Sequence, residues 1–324
     1  MARMIFSTHP LHPEVTAALR VLGEYRVATS PTAQDITSGS VGAEIIVVRA
    51  PIPSGIVPQA PNLRALIRHG AGLDMINVAE ATQAGVLVAN VPGANALTVA
   101  EHVIWTAIAL LRRFPKVNGD LRAKGWAAAR SNADHGRELS GKTLGVLGMG
   151  NVGQALAKIA VHGFGMPVLC HSPSGTAPEG VVPAGLPDLL AKADVLALCA
   201  PLTPRTLGLI DAPALARMKP GAVLINVARG PLVDEAALIG ALTSGHLGGA
   251  AIDVFDAQPL PPDHPFMALP NVILTPHMAG VTEESMLRMG QGVVAEAQRV
   301  MAGGLPCNLV NPEAVDLYRQ RFPG

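Results

Sequence analysis

Three polar side chains in the second half of the chain stand after apolar, strand-like runs. Arg229 follows the run in INVARG, Asp253 the run in AAID, and His277 closes LTPH. An arginine can hold a carboxylate through two parallel hydrogen bonds and polarise a carbonyl, and a histidine can carry a proton at neutral pH. Taken singly, Arg229 also fits a salt bridge beside a helix and His277 a hydrogen-bonded core position. Their shared position at strand ends, where open α/β sheets bind ligands, favours a chemical role.

A glycine-rich segment lies between a predicted strand, TLGVLG, and a predicted helix, NVGQALAKIAVHG. In this setting the first glycine allows a tight turn, the second lets the backbone approach a pyrophosphate, and the third allows close packing of helix on strand. The phosphates would face the helix N-terminus, which favours anions. The pattern predicts a dinucleotide site; the alternative is a glycine-rich turn in a domain that binds no nucleotide. The residues concerned are Gly148, Met149, Gly150, Asn151, Val152 and Gly153.

The next strand, PVLCHS, ends where such domains usually carry an Asp or Glu for the ribose hydroxyls. This chain has Ser172 there. A serine can hydrogen-bond a ribose hydroxyl and does not repel a 2′-phosphate, so both NAD and NADP remain open. NAD is slightly favoured, because the strand end offers no arginine to bind the phosphate.

The elements that must position these residues follow an alternating pattern of strands and helices. The apolar runs RMIFST, EIIVVRA, RALIRHG and VLVAN are typical of buried parallel strands, with helices predicted at Pro13 to Leu22 and near Asp74 to Gln83. A longer helix is predicted from about Thr98 to Phe114. From Lys142 the pattern restarts with six predicted strands, the number in a doubly wound dinucleotide-binding domain. A last helix is predicted after Thr282, followed by a short polar tail that we expect to pack on the first domain.

Composition and charge exclude several classes of protein. With 324 residues, of which 49% are hydrophobic and 15% charged, the chain has ample core-forming side chains and the length of two domains. The 24 basic and 24 acidic residues balance, and aromatic residues make up only 3%, so we expect no nucleic-acid partner. The three cysteines, Cys170, Cys199 and Cys307, lack metal-ligand spacing and indicate reduced thiols. We therefore expect a cytoplasmic protein with no metal site and, because the apolar stretches are short, no membrane segment.

Long motifs in a fixed order give the chain a resemblance to a known family. With them it resembles the D-isomer-specific 2-hydroxyacid dehydrogenases, such as phosphoglycerate dehydrogenases and glyoxylate/hydroxypyruvate reductases, over nearly its whole length. The motifs are HGAGLDMINVAEATQAGVLVANVPGANALTVAEH (69–102), LSGKTLGVLGMGNVGQALA (139–157), CAPLTPRTLGLID (199–211), INVARGPLVDEAAL (225–238) and AIDVFDAQPLPPDHPFMALPNVILTPHMAG (251–280).

The resemblance implies two doubly wound parallel-sheet α/β domains with the active site in the cleft between them. Residues 1–98 and 285–324 would form a flavodoxin-like substrate domain, and residues 99–284 a Rossmann domain that binds NAD(P). The implied reaction is hydride transfer between NAD(P)H and C2 of a small 2-oxo acid or D-2-hydroxy acid, such as glyoxylate, hydroxypyruvate or a phosphoglycerate-like acid. The implied assembly is a homodimer, and the segment Leu121 to Trp126 resembles one that reaches the neighbouring protomer's active site in some members.

The resemblance also implies roles for individual residues. Arg229 matches the catalytic arginine that binds the substrate's carboxylate and carbonyl, and His277 matches the histidine that gives a proton to the nascent alkoxide. Asp253 matches the residue that fixes the nicotinamide amide. Other implied cofactor-binding residues are Pro201, Thr206, Val227, Ala228 and Gly280, and the implied substrate-binding residues are Arg49, Ala71, Gly72 and Asn95.

One position departs from the family pattern. Most members pair the catalytic histidine with a glutamate, whereas this chain has Gln258. A neutral amide can orient an imidazole but does not stabilise its charged form. Formate dehydrogenases of the same superfamily carry Gln there, and formate oxidation needs no proton acceptor, so a formate-type dehydrogenase with a Gln–His pair is the alternative. A dinucleotide-sensing, corepressor-like regulator is less expected, because Arg229 and His277 are both intact.

Overall fold

The computed structural model describes residues 3–173 and 175–323, which divide into two compact units. The first unit contains the described residues up to Asn95 and those from Val281 onward, and the second unit runs from Ala96 to Gly280. The predicted boundaries, 98/99 and 284/285, lie a few residues further along the chain in each case. Each unit contains its own parallel β-sheet. The predicted fold class, two α/β domains with parallel sheets, is therefore confirmed.

Strands and helices alternate through the described chain, with three short 3-10 helices at Gly230–Leu232, Pro265–Ala268 and Pro312–Ala314. The strands are β1 (Met4–Ser7), β2 (Glu24–Val27), β3 (Ile45–Val48), β4 (Ala65–Arg68), β5 (Leu87–Ala89), β6 (Leu144–Leu147), β7 (Val168–His171), β8 (Val181–Pro183), β9 (Val195–Leu198), β10 (Val223–Asn226), β11 (Gly249–Ile252) and β12 (Val272–Leu274). The α-helices are α1 (Pro13–Leu22), α2 (Ala33–Gly39), α3 (Val78–Gln83), α4 (Ala96–Leu111), α5 (Phe114–Lys124), α6 (Trp126–Ala133), α7 (Asn151–Phe164), α8 (Leu186–Lys192), α9 (Ala212–Arg217), α10 (Glu235–Thr243), α11 (Glu283–Met301) and α12 (Val315–Arg321).

The sheet of the first unit has the strand order β2-β1-β3-β4-β5, which is the flavodoxin-like order. Successive residues of a strand point to opposite faces. Ile5 accordingly packs in a cluster with residues of α1 and α11, and Phe6 packs in a cluster on the other face with Ile36 of α2. Both faces are covered, which is why β1 and β3 are buried at every residue.

The segment after α11 packs on the sheet of the first unit. Asn311 is buried and bridges two residues around β5: its side-chain oxygen accepts the Val88 N–H (2.7 Å) and its amide donates to the Val86 carbonyl (2.9 Å). Tyr318 of α12 belongs to the same apolar cluster as Ile5. The tail is therefore not only polar, because it supplies part of this core.

The sheet of the second unit has the order β12-β11-β10-β9-β6-β7-β8. Counted from β6, this is the doubly wound dinucleotide-binding order with one added strand. The six-strand prediction missed β8, and the prediction for the first unit missed β2. Both are edge strands with exposed residues, so neither shows the continuous apolar run on which the predictions relied.

The helix predicted from about Thr98 to Phe114 is α4, which ends three residues earlier than predicted, at Leu111. Arg113 follows it in the left-handed conformation (φ 55°). The next helix, α5, begins at Phe114 and carries Pro115 in its first turn. A proline is tolerated there because the first turn has no internal partner for its N–H group. Pro115 therefore marks the start of a helix and not the end of one.

Three further features concern the chemistry available. All three cysteines are free thiols. Within residues 3–173 and 175–323, no group of three metal-ligating side chains is assembled. No helix in that same part of the chain is long and apolar enough to cross a membrane.

Candidate active site

The three polar residues at strand ends lie on neighbouring strands of the second unit. Arg229 follows β10, Asp253 directly follows β11, and His277 follows β12; these strands are adjacent in the sheet. Because all strands are parallel, the three residues emerge at the same carboxyl edge. The structure thus brings together side chains far apart in sequence.

The Asp253 carboxylate accepts hydrogen bonds from the loop that carries His277. It is 2% exposed, and its Oδ1 accepts the Thr275 hydroxyl (2.6 Å) and the Met278 N–H (2.8 Å). Its Oδ2 accepts the Ala279 N–H (3.0 Å). Hydrogen bonds to a carboxylate are among the stronger ones in proteins, and here one side chain accepts three.

His277 adopts a backbone conformation that side-chain-bearing residues rarely take. Its φ is 56°, in the left-handed region, which costs of the order of 1 kcal/mol for a non-glycine residue. Its N–H donates to the carbonyls of Asp253 (2.8 Å) and Thr275 (3.0 Å). The surrounding hydrogen bonds therefore maintain a turn that the residue does not itself favour.

Gln258 lies against the imidazole of His277. Its Oε1 is 3.1 Å from His277 Nδ1, and its Nε2 donates to the Phe255 carbonyl (3.2 Å). Because that carbonyl needs a donor, the amide presents its oxygen to the ring, and Nδ1 must carry the hydrogen. In the neutral imidazole, Nε2 is then the basic nitrogen.

The loop of Arg229 is packed against the segment that carries Gln258. A Cβ placed on Gly230 would lie 2.2 Å from the Phe255 carbonyl carbon, so only glycine permits this approach. The loop is also braced by Asn226, which donates to the Arg229 carbonyl (2.9 Å). The half-buried Arg229 side chain donates through Nη1 to the Ala228 carbonyl (2.6 Å). Backbone contacts thus fix the arginine loop relative to the Gln258 segment.

The three glycines after β6 have different surroundings. A Cβ on Gly148, whose φ is 97°, would lie 2.6 Å from the Ala200 nitrogen, and one on Gly153 would lie 2.2 Å from the Gly148 carbonyl oxygen. A Cβ on Gly150 would meet nothing within 4 Å. The outer two glycines are required by packing within the protein. The middle one leaves open space at the N-terminus of α7, which fits a pyrophosphate approaching the backbone.

The other predicted cofactor residues lie along the same edge of the second unit. Thr206 shapes the turn after β9, since its hydroxyl donates to the Pro201 carbonyl (2.7 Å) and accepts the Thr203 N–H (2.8 Å). The remainder stand after β6 (Met149), in the first turn of α7 (Asn151, Val152), after β7 (Ser172), between β10 and Arg229 (Val227, Ala228) and at the last position of the second unit (Gly280).

The predicted substrate residues belong to the first unit, where they follow strands of its sheet: Arg49 after β3, Ala71 and Gly72 after β4, and Asn95 after β5. The Ala71 carbonyl accepts the Asn90 amide (2.8 Å), and the Gly72 carbonyl accepts Arg68 Nε (3.0 Å). In a trans peptide the N–H points opposite to the carbonyl. The Gly72 N–H therefore points away from Asn90, as an anion-binding loop requires.

At the carboxyl edge of the first unit's sheet, the positive charge comes from arginine and not from histidine. Arg49 is anchored by its own N–H, which donates to the Thr8 hydroxyl (2.8 Å), and by Nη1, which donates to the Pro10 carbonyl (2.6 Å). Burial, aided by the positive charges of Arg49 and Arg68, lowers the pKa of His69 to about 4. His69 is consequently neutral at physiological pH.

Sequence reasoning missed several residues that shape these loops. Thr275, Arg68 and Asn90 each stand at or just after the end of an apolar run, the signal that identified Arg229 and His277. Nothing in their residue types distinguishes them, because they hold backbone groups and carry no chemistry of their own. His102 of α4 is half-buried, with Nε2 3.5 Å from the Thr275 hydroxyl.

Comparison with known proteins gives a consistent family. Residues 104–279 match the model of the D-isomer specific 2-hydroxyacid dehydrogenase NAD binding domain. The chain is 37% identical over 307 residues to D-3-phosphoglycerate dehydrogenase of Mycobacterium tuberculosis, which covers 93% of this chain and 57% of that protein. It is 38% identical over 279 residues to glyoxylate reductase of Aeropyrum pernix, covering 84% and 83% of the two chains. The chain thus spans little more than half the length of the phosphoglycerate dehydrogenases it matches.

Solved structures share the architecture over almost the whole chain. The TT0316 protein of Thermus thermophilus superimposes with a TM-score of 0.87 at 34% identity, covering 95% of this chain and 99% of that one. The NADPH-dependent glyoxylate/hydroxypyruvate reductase of Sinorhizobium meliloti has a TM-score of 0.85 at 28% identity (96% and 98%). The NAD-dependent formate dehydrogenase of Staphylococcus aureus has a TM-score of 0.81 at 28% identity (93% and 96%).

Proposed function

Because this chain belongs to the D-isomer specific 2-hydroxyacid dehydrogenase family, as its motifs predict, we propose that it transfers a hydride between a nicotinamide dinucleotide and C2 of a small 2-oxo acid or D-2-hydroxy acid. One observation carries the proposal: the loops of Arg229 and His277 both converge on the segment from Asp253 to Gln258. An anion-binding group and a proton-transfer group are thereby held together at one edge of the sheet.

Three residues of the second unit have distinct roles in the proposed reaction. Arg229 binds the carboxylate of the acid and polarises its carbonyl, for which a planar guanidinium is suited. His277 gives a proton from Nε2 to the oxygen at C2 in reduction and takes it back in oxidation. Gln258 keeps Nδ1 protonated, so that Nε2 is the atom that exchanges the proton.

A nicotinamide dinucleotide would supply the hydride in reduction and accept it in oxidation. The open space at Gly150, the N-terminus of α7 and the turn of Pro201 and Thr206 are the features that would hold it. We favour NAD slightly, because no arginine stands beside Ser172. Among the similar solved structures, one enzyme is named as NAD-dependent and another as NADPH-dependent.

Replacing Ser172 by Asp should weaken NADPH binding far more than NADH binding, since a carboxylate would face the 2′-phosphate. Equal losses of both would refute the placement of Ser172.

In the first unit, Arg49, Asn95 and the loop of Ala71 and Gly72 are proposed to bind the substrate. The N–H of Gly72 and the charge of Arg49 suit a carboxylate. Relatives are named for phosphoglycerate, glyoxylate and hydroxypyruvate, and all three are small 2-oxo or 2-hydroxy acids. The second candidate function is formate oxidation, which the uncharged Gln258 beside His277 favours.

A substrate panel tests the proposal. The full chain is assayed with glyoxylate, hydroxypyruvate, longer 2-oxo acids and phosphohydroxypyruvate, each with NADH and NADPH, and with formate in the oxidative direction. We expect reduction of at least one 2-oxo acid and no formate oxidation. Replacing Arg229 by Lys should leave dinucleotide binding intact and lower kcat/KM by about a thousandfold, because an ammonium cannot reproduce the two-point grip. Formate oxidation without any 2-oxo acid reduction would favour the second candidate.

We also propose that the chain forms a homodimer through α4, α5 and α6. Large apolar side chains are exposed on these helices, with Trp105 50%, Phe114 52% and Trp126 76% exposed. Because α5 packs against both α4 and α6, the three side chains lie on one group of helices, and exposed apolar surface on such a group is typical of protein interfaces. Sedimentation analysis of the chain and of Trp126→Asp tests this: the native chain should sediment as a dimer, and a native chain that sediments as a monomer would refute it.

A further inference from the structure

A chain of hydrogen bonds in the second unit supports the turn that carries His277, the proposed proton-transfer residue. Thr275 donates its hydroxyl hydrogen to Asp253 Oδ1 at 2.6 Å. Asp253 in turn accepts the N–H groups of Met278 and Ala279, the two residues after His277. Nothing in the mechanism described above uses Thr275, yet it contacts the carboxylate on which this turn depends.

We propose that Thr275, supported by His102, is a positioning residue that fixes the Asp253 carboxylate and, through it, the imidazole of His277. The inference rests on the proposed function, in which His277 transfers the proton.

The residue after Thr275 explains why a side chain is needed here. Pro276 has no N–H, so the turn lacks a backbone donor at that position. The Thr275 hydroxyl supplies a donor one residue earlier. Without it, Oδ1 would keep a single donor, the Met278 N–H, and the carboxylate would be less constrained about its own axis. His277, held at a φ of 56°, would then lose part of the restraint that maintains its unfavourable conformation.

His102 completes the arrangement from α4. Its Nε2 lies 3.5 Å from the Thr275 hydroxyl oxygen, and its ring makes an edge contact with Trp105, the centroids being 5.4 Å apart. A hydroxyl has one hydrogen, and that of Thr275 is given to Asp253. His102 must therefore be the donor to Thr275, which directs the hydroxyl hydrogen toward the carboxylate. At 3.5 Å this contribution is weaker than that of Thr275 itself.

The first test observes His277 directly in the protein without cofactor or substrate. Long-range ¹H–¹⁵N spectra of the histidine rings report which ring nitrogen is protonated, and His277→Asn identifies the His277 signal. The native chain and Thr275→Ser should both show His277 protonated at Nδ1. Thr275→Val, which has the same shape without the hydroxyl, should show a shifted mixture of the two tautomers. An unchanged His277 signal in Thr275→Val would overturn the proposal.

The second test measures turnover with whichever 2-oxo acid the native chain reduces. Thr275→Val should lower kcat by about tenfold to a hundredfold, as expected for loss of a hydrogen bond to a buried carboxylate, and should change the KM for the dinucleotide by less than about twofold. Thr275→Ser should restore kcat to within about threefold of the native value, because it keeps the hydroxyl. His102→Leu should lower kcat by about threefold and His102→Gln should not, since a glutamine amide can still donate.

Thr106→Val is the matched control. Thr106 is a buried threonine of α4 whose hydroxyl bonds to carbonyls of its own helix, those of His102 (2.8 Å) and Val103 (3.1 Å). It should leave both the His277 signal and kcat unchanged. If Thr106→Val lowers kcat as much as Thr275→Val does, the effect is one of packing and the proposal is wrong. If the native chain reduces no 2-oxo acid, the proposed function fails, while the spectra still decide whether Thr275 fixes His277.

Discussion

The loops at the two sheet edges are held by opposite kinds of hydrogen bond. In the second unit, the Asp253 carboxylate gathers the N–H groups of Met278 and Ala279. In the first unit, Arg68 and Asn90 gather the carbonyls of Gly72 and Ala71. When an acceptor binds the N–H groups of a loop, the carbonyls of the same peptides point outward. When donors bind the carbonyls, the N–H groups point outward. The first unit therefore suits recognition of an anion, and the second suits presentation of a side chain such as His277.

The two sheet edges also differ in how many side chains hold the backbone of their loops. One carboxylate accepts all three donors around the His277 turn. At the other edge Arg68 alone donates to the carbonyls of Val48, His69 and Gly72, and Asn90 holds Ala71 separately. A single substitution should therefore do more damage in the second unit than the loss of Asn90 does in the first.

Among the side chains that hold the loops at the two edges, the largest effect is expected for Asp253→Asn. The amide that replaces Oδ1 or Oδ2 would present N–H groups to a backbone donor, leaving a buried donor unpaired. We expect kcat/KM to fall by about a hundredfold and the free energy of unfolding to fall by about 2 kcal/mol. Asp194→Asn is the control, since Asp194 also accepts a backbone N–H, from Thr143 (2.8 Å), but lies outside the loop. Equal loss of activity in both variants would contradict the single-anchor description.

A smaller effect, on stability alone, is expected at the edge of the first unit. The pKa of His69 is about 4 in the folded chain, chiefly because of burial, against about 6.5 in an unfolded one. As pH falls from 6.5 to 4, the unfolded chain takes up a proton that the folded chain does not, so stability is lost over that window.

Between pH 7 and pH 5 this loss amounts to about 2 kcal/mol. Urea unfolding at both pH values should therefore show a smaller acid loss for His69→Leu than for the native chain. The exposed His135 serves as the control through His135→Gln, which should retain the full loss. An identical acid loss in His69→Leu and the native chain would refute this origin of the pH dependence.

The comparison also explains what could be predicted from the sequence. Central strands such as β3 and β10 are buried on both faces, so their apolar runs identified them, and with them the loops of Arg49 and Arg229. Edge strand β2 reads EYRV and is mostly exposed, so its sequence carries no such signal. The roles proposed for Arg229 and His277 rest on residue type and on position after a strand. The sequence does not indicate which groups hold the loops of these two residues, because the Asp253 contacts depend on the turn conformation at His277.

A modest effect on substrate binding is expected for Asn90→Ala. The Ala71 carbonyl would lose its partner, while Arg68 would still hold Gly72. We expect the KM for the 2-oxo acid to rise about threefold to fivefold with kcat within about twofold, the loss of one hydrogen bond to a neutral group. Asn77→Ala, which removes the N-cap of α3 in the same unit, should leave KM unchanged. A hundredfold effect of Asn90→Ala would remove the contrast between the two edges.

The smallest change in maximal rate is expected for Gln258→Glu, which alters charge beside His277 and not the position of its loop. A carboxylate 3.1 Å from Nδ1 would favour the imidazolium form. Reduction needs protonated His277, so its alkaline limb should move upward by about one to two pH units. Oxidation needs neutral His277, so its acid limb should move upward as well. The rate at the pH optimum should change little, because the turn held by Asp253 is untouched.

The matched variant Gln258→Met separates charge from contact. It removes the hydrogen bond to Nδ1 without adding a charge, so the alkaline limb of reduction should not move upward. The glutamate can no longer donate to the Phe255 carbonyl as Gln258 Nε2 does at 3.2 Å, so some stability should be lost in both variants. Profiles of kcat/KM against pH in both directions decide the matter. An alkaline limb that stays in place after Gln258→Glu would mean that the pair does not set the proton affinity of His277, and the role proposed for Gln258 would have to be abandoned.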